Sequence, residues 1–367
     1  MKIVIAPDKF KDTFSAREIT SIISQNLKNI IPGAEITEIP LADGGEGTAE
    51  ISAPFFNAKP VSITVNNPVF EIINTNYFFS ETKKTAIIEI SAASGLHLLK
   101  KEYQNPLYTS SYGTGELIAD AVKKGAKNIF LTLGGSATND AGCGAASALG
   151  FVFKDKSGKN LKINGKNLIK IAEISNENLN FNLRNINFIA LYDVKNPLYG
   201  KNGAAYVFAK QKGASLKDTE LLDKGLRNFA DIVQKKYGIN INNCNGCGAA
   251  GGFGAGSKFF FNAELKPGAE TLLELVSFDN LIKNADLIIT GEGKFDAQSL
   301  RGKLTGTIIK KAEKFKIPVA VICGISDINV INKNCKVFPL FKKFPGSKKA
   351  KELSTQHINR VLKEIIY

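Results

Sequence analysis

Residues 128–145 read NIFLTLGGSATNDAGCGA: an apolar run, a glycine pair, small hydroxyls, an Asn-Asp pair and a stretch rich in Ala and Gly. An apolar run that stops at two glycines reads as a short buried strand delivering a loop to the carboxyl edge of a sheet. That edge is where α/β proteins often hold phosphates. The loop carries Asn139 and Asp140 but no lysine, so charge neutralisation has to come from elsewhere in the chain.

Working outward, the same grammar recurs. Ile3–Ala6 is a strand ending at Pro7-Asp8, and Ser15 with Glu18 forms a capping box. The helix it opens places Ile19, Ile22, Ile23, Leu27, Ile30 and Ile31 on one face. Ile36–Leu41 is the next strand, and ADGGEGT (42–48) is its loop, followed by a short helix. Near the far end come a strand at Asp286–Thr290, the loop GEGKFD (291–296), a helix with Leu304, Ile308, Ile309, Ala312 and Phe315, and a strand at Pro318–Cys323. A last helix, 350–366, has Leu353, His357, Ile358, Val361, Leu362 and Ile365 on one face. From about residue 60 the pattern changes to short β-rich segments, with NNP (66–68) as a turn and Tyr77–Phe79 and Ala86–Ile90 as antiparallel strands. The fold class is therefore α/β with two domains. A discontinuous Rossmann-like parallel-sheet domain is expected at 1–59 and 276–367, and an inserted mixed α/β domain at 60–275.

The chain of 367 residues, 44% hydrophobic and 22% charged, has the composition of a soluble globular protein. Its formal net charge of +14 is scattered, without a basic run interleaved with aromatics, so small anions are expected as partners rather than nucleic acid. MKIVIAPDKF turns polar too soon for a signal peptide, and no window is long and apolar enough to span a membrane; a cytoplasmic location is expected. The five cysteines read as free thiols.

Several site types lack the residues they need. No Walker A loop is present, because Arg301-Gly302-Lys303-Leu304 lacks the hydroxyl. GCGAAG (246–251) has dinucleotide spacing but follows NINNCN instead of a strand. Cys244 and Cys247 have metal-ligand spacing with no second pair, and two histidines cannot build a His-rich centre or support a Ser-His-Asp reading. What remains is a set of loops rich in Gly, acids and hydroxyls, at 6–13, 42–48, 110–116, 134–140, 192–197 and 291–303. These suit phosphoryl transfer, which needs backbone N–H groups around phosphates, carboxylates on Mg²⁺, cations on the transferring group and one proton acceptor. Asp43, Glu46, Asp140, Asp193, Glu292 and Asp296 supply the carboxylates, and Lys9, Lys11, Arg301 and Lys303 the positive charge.

The order of these loops resembles the bacterial type II glycerate kinases. The likeness runs through KIVIAPDKFKDTFSA, PLADGGEGT, SYGTGELI, LGGSATNDAG, DVKNPLYGKNGAA, QKGAS, GAAGGFGAG and TGEGKFDAQSLRGK to the end of the chain. It departs at Lys9, at Asp12-Thr13 and at Ala209-Lys210. The resemblance implies two α/β domains with the active site in the cleft between them. It also implies transfer from Mg·ATP to D-glycerate, giving 2-phosphoglycerate.

Within that chemistry, Asp43 and Glu292 are expected to contact metal, and Asp193 or Asp296 to accept the hydroxyl proton. Lys9, Lys11 and Arg301 stabilise charge, while Gly44, Gly45, Gly134, Gly135, Ser136, Asn139, Asp140 and Lys303 hold the nucleotide. ATP and Mg²⁺ are the cofactors, D-glycerate is the acceptor, and a homodimer is compatible with all of this. The competing readings are a glycerate 3-kinase, a nucleotide-dependent oxidoreductase and a non-catalytic sugar-acid-binding protein.

Overall fold

In the computed structural model, which describes residues 1–10, 13–300, 302–328 and 330–367, the first apolar run is the strand Lys2–Ile5. It lies parallel to Leu287–Phe295 on one side and to Glu35–Glu38 on the other. Val319–Ser326 and Cys335–Pro339 extend the sheet in parallel, and Val330–Asn332 closes the edge antiparallel. Successive strand residues face opposite ways. Ile3, Ile5, Ile289 and Ile322 share one core with the helices Ala16–Ile30 and Ser347–Ile366. Val4, Ile288 and Val321 share the other core with Leu304–Phe315 and Phe278–Ile282. The sheet is thus covered on both faces, as its nearly continuous apolar strands require. The capping box is present: Glu18 N–H donates to Ser15 Oγ at 3.2 Å and Ser15 N–H to Glu18 Oε2 at 2.8 Å.

A second sheet runs Glu264–Pro267, Asn187–Tyr192, Asn128–Thr132, Thr85–Glu89, Ile72–Ser80, Lys59–Asn66. The first four strands are parallel neighbours and the last two join antiparallel. The antiparallel pair expected at Tyr77–Phe79 and Ala86–Ile90 is present, with Phe78 opposite Ile87 and Phe79 opposite Ala86, and Thr85–Glu89 runs parallel to its other neighbour. The strand Asn128–Thr132 has the bounds read from the sequence.

Two compact units result, Met1–Asp43 with Ala269–Tyr367, and Gly44–Gly268. These limits differ from those expected at 59/60 and 275/276, and packing explains both shifts. Ala49 and Ala53 bury against Ile87, with Phe56, Phe78 and Phe130 around them, so residues after 43 belong to the second sheet. Ala269, Leu273 and Val276 bury with Val4 and Ala6, which returns the helix Gly268–Leu275 to the first. The loop expected at GEGKFD is also corrected, because its first five residues continue the strand to Phe295. A side chain at Gly291 would meet Ile322 O at 1.8 Å, so glycine permits the pairing that the residue pattern conceals. Cys244 and Cys247 lie side by side with Cα atoms 5.3 Å apart, and Cys143, Cys323 and Cys335 are free and buried.

Candidate functional site

In the first unit the carboxyl ends of the strands gather charge. Asp8 follows the strand Lys2–Ile5, its N–H donating to Gly291 O at 2.8 Å, and Asp43 follows the strand Glu35–Glu38. Glu292 lies within the strand Leu287–Phe295, and Lys303 precedes the helix Leu304–Phe315. A cavity of about 380 Å³ is lined by Asp8, Lys9, Asp43, Glu292 and Lys303, and also by the apolar Phe10, Ile325, Leu340, Phe341 and Phe344. Sequence reasoning grouped four of these charges; Asp8 joins them. Burial, then the charge of Asp43, pushes the Asp8 carboxyl well above the usual carboxylate range. Burial raises Glu292 to about 6 against the pull of Lys303. Its Oε1 is buried without a hydrogen-bond partner among the described residues.

Asp8 and Glu292, each raised by burial and by the charge of Asp43, suit a cation. Among the described residues no cluster of three or more His, Cys, Asp and Glu closes on a single metal position. Mg²⁺ usually arrives with phosphate and water ligands and needs only one or two carboxylates. Asp43 and Glu292 fit that demand.

The second unit builds the glycine loop that follows Asn128–Thr132. Two glycine-rich loops meet there: a Cβ on Gly134 would lie 2.4 Å from Gly45 Cα, and one on Gly44 2.9 Å from Gly268 Cα. Leu96 N–H donates to Gly135 O at 2.9 Å and Ala137 N–H to Ser94 O at 2.8 Å, which fixes the loop's path. Asp140 is fully buried. Its Oδ2 accepts from Ser111 N–H at 2.7 Å, Ser111 Oγ–H at 2.9 Å and Gly144 N–H at 3.3 Å; its Oδ1 accepts from Gly142 N–H at 3.2 Å. A carboxylate so enclosed has its acceptor capacity taken up by the chain and shapes the loop. Burial still raises its pKa, against those hydrogen bonds.

The two expected proton acceptors differ. Asp193 follows the strand Asn187–Tyr192, whose Leu191 pairs with Thr132 and whose Leu191 O accepts from Leu133 N–H at 3.0 Å. It therefore stands at the same sheet edge as the glycine loop. Asp296, in the first unit, closes a turn: Oδ1 accepts from Gln298 N–H at 2.8 Å and Oδ2 lies 3.3 Å from Lys294 Nζ. Partial burial raises its pKa, but the Gln298 bond and Lys294 outweigh that and leave it lowered, which makes a weak base. Lys11 and Arg301 lie outside the described residues.

Two sequence signals take on other meanings. Gly251 of GCGAAG has φ +66, and a Cβ there would meet Thr138 O at 2.0 Å; its glycine serves close packing on the loop. His357 is a packing residue, its Nδ1 2.8 Å from Leu340 O and its ring 4.8 Å from that of Phe341. Sequence reasoning missed Lys212. It is 4% exposed, and its Nζ donates to Ser136 Oγ and Thr138 O, both at 2.8 Å. Nothing in KQKGAS distinguishes this lysine from its solvated neighbours.

The sequence profile of the glycerate kinase family matches residues 3–367. A protein of Bacillus subtilis (strain 168) named glycerate kinase is 38% identical, the match covering 100% of this chain and 97% of that protein. One of Escherichia coli (strain K12) named glycerate 2-kinase is 39% identical, covering 91% of this chain and 88% of that protein. The crystal structure of putative glycerate kinase 2 from Salmonella typhimurium LT2 superposes with a TM-score of 0.82 at 35% identity, covering 100% of this chain and 98% of that one.

Proposed function

The chain belongs to the glycerate kinase family, and on that premise we propose that it transfers the γ-phosphoryl group of magnesium-bound ATP to the 2-hydroxyl of D-glycerate, giving 2-phosphoglycerate. The observation that carries the reading is the cavity of the first unit. It sets Lys9 and Lys303 beside Asp8, Asp43 and Glu292, with aromatic and aliphatic side chains in the same lining. Phosphates and metal suit the charged groups, and a purine suits Phe341, Phe344 and Ile325.

Asp43 and Glu292 hold the cation that accompanies the phosphates. Bound Mg²⁺ supplies charge neutralisation on the transferring group. Lys9 and Lys303 bring positive charge to the phosphates in the first unit's cavity, and Lys11 and Arg301 are assigned the same task from sequence. Gly44, Gly45, Gly134 and Gly135 let backbone N–H groups approach anionic oxygens closely. Asp193, directly after the strand Asn187–Tyr192, takes the hydroxyl proton, and the lowered pKa of Asp296 makes that residue the weaker base. The choice of the 2-hydroxyl is supported by the name of the Escherichia coli relative.

The test is phosphorus NMR of the product from D-glycerate, ATP and Mg²⁺, compared with authentic 2- and 3-phosphoglycerate. The 2-phosphate signal is expected. A 3-phosphate signal would replace the regiochemistry, and no phosphoglycerate alongside brisk turnover of another hydroxy acid would replace the acceptor.

A further inference from the structure

Lys212 is the one lysine that is buried among the described residues. Burying an ammonium is costly unless an anion pairs with it. Among the described residues no carboxylate is hydrogen-bonded to it; its two partners are a hydroxyl and a carbonyl, both from the glycine loop. Asp140 is the acid that bears on it electrostatically, but that carboxylate is already taken up by Ser111, Gly142 and Gly144. The chain thus contains half of an ion pair.

The hydrogen-bond roles say what the other half must be. An ammonium only donates, so Ser136 Oγ accepts from Lys212 and its own O–H is left to donate elsewhere. Asn139 is 1% exposed, and its Nδ2, a pure donor, is buried with no partner among the described residues. A second donor with nothing to donate to, in the loop that already engages the lysine, calls for a ligand that only accepts. The loop reaches the surface at Gly134 and Gly135, directly before Ser136. One positive charge also matches one carboxylate better than a polyphosphate, for which the first unit provides Lys9 and Lys303. The turn that presents the lysine is specific: Gly213, at φ +96, lies so close to Gln104 O that a Cβ would sit 1.8 Å from it.

We propose that Lys212, acting through Ser136, is the positioning residue that makes loop 134–139 a subsite for the carboxylate of the acceptor, selecting hydroxy acids over neutral polyols. The inference rests on the acceptor being a hydroxy acid, as read above. It assigns the loop to the acceptor rather than the nucleotide. Burial lowers Lys212 to about 7, with Asp140 opposing; Cys143, whose thiol burial and Asp140 hold protonated, adds no charge. A bound carboxylate favours the ammonium form, so acceptor affinity falls as pH rises above 7.

Calorimetric titration of the full chain with D-glycerate, with glycerol and with ATP tests this. In wild type the D-glycerate Kd should weaken towards tenfold per pH unit above pH 7.5. Lys212→Arg, charged throughout, should give a flat profile. Lys212→Met should weaken D-glycerate about 10²-fold, leave ATP within twofold and erase the preference over glycerol. A flat wild-type profile overturns the proposal even if neither variant folds. So does Lys212→Met weakening ATP instead, or leaving D-glycerate binding intact. A wild type that binds no D-glycerate at any pH sinks the proposed function, a result distinct from these.

Discussion

Glu292 and Asp140 are both buried carboxylates in glycine-rich segments, one within a strand and one in the loop after a strand, and the fold treats them in opposite ways. Asp140 meets four hydrogen bonds from Ser111, Gly142 and Gly144. Glu292 meets the Lys303 charge and the Thr305 and Ser299 hydroxyls, faces the charge of Asp43, and still keeps Oε1 without a partner among the described residues. Residue type and spacing are the same kind of signal in both places; the supply of donors decides the role. A carboxylate satisfied by the chain holds structure, and one left unsatisfied is available to a ligand.

The largest effect is expected at the unsatisfied acid. Glu292→Gln keeps the shape and removes the charge, so kcat/KM should fall about 10³-fold, the several kcal/mol that a metal contributes to charge stabilisation. Thermal stability should hold or rise, because a charge that costs stability beside Asp43 is gone. Steady-state kinetics against Mg²⁺ concentration, with a melting curve, check both halves. Near-normal kcat/KM with a lowered melting temperature would place Glu292 with Asp140 and erase the distinction.

The satisfied acid should give the reverse pattern. In Asp140→Asn the new amide turns donors towards the donors of Ser111 and Gly144, or towards Gly142 if it flips. The expected cost is about 3 kcal/mol of unfolding free energy, read from urea denaturation at neutral pH. Mg²⁺ dependence in the folded fraction should be unchanged. A variant of full stability whose Mg²⁺ requirement shifts would return Asp140 to the ligands.

Both acids were legible as candidates, and the sheet edge that carries them was legible too. NIFLT reads as a strand because its local residues decide it, and Ser15 with Glu18 reads as a cap because both partners lie within one turn. Legibility stops where the partner is distant. Lys212 looks solvated in QKGAS because its burial is set by Ser136 and Thr138, 76 and 74 residues away. The strand to Phe295 was read short because Gly291 and Gly293 carry no strand pattern, while Gly324 packs its backbone against Gly293. The unit limits moved for the same reason: Ala49 and Ala53 announce no partner until the sheet holding Ile87 is formed. Asp140 and Glu292 could not be sorted because hydrogen-bond donors contributed by Ser111 and Gly144 are invisible one residue at a time.

The smallest effect is expected at a third kind of acid, one satisfied mainly by its own turn. Asp296 accepts from Gln298 N–H, a bond an asparagine oxygen makes equally well, and its pairing with Lys294 is partly exposed. Exposed pairs contribute from nothing to about 1 kcal/mol, so Asp296→Asn should change stability by about 0.5 kcal/mol or less. It should leave kcat unchanged. Asp193→Asn carries the contrast, with kcat falling about 10²-fold at unaltered ATP affinity, the lower end of what a general base supplies. Measuring kcat for both variants at saturating substrate separates the two sheet edges. If Asp296→Asn lost the 10² and Asp193→Asn kept full kcat, proton acceptance would move to the first unit.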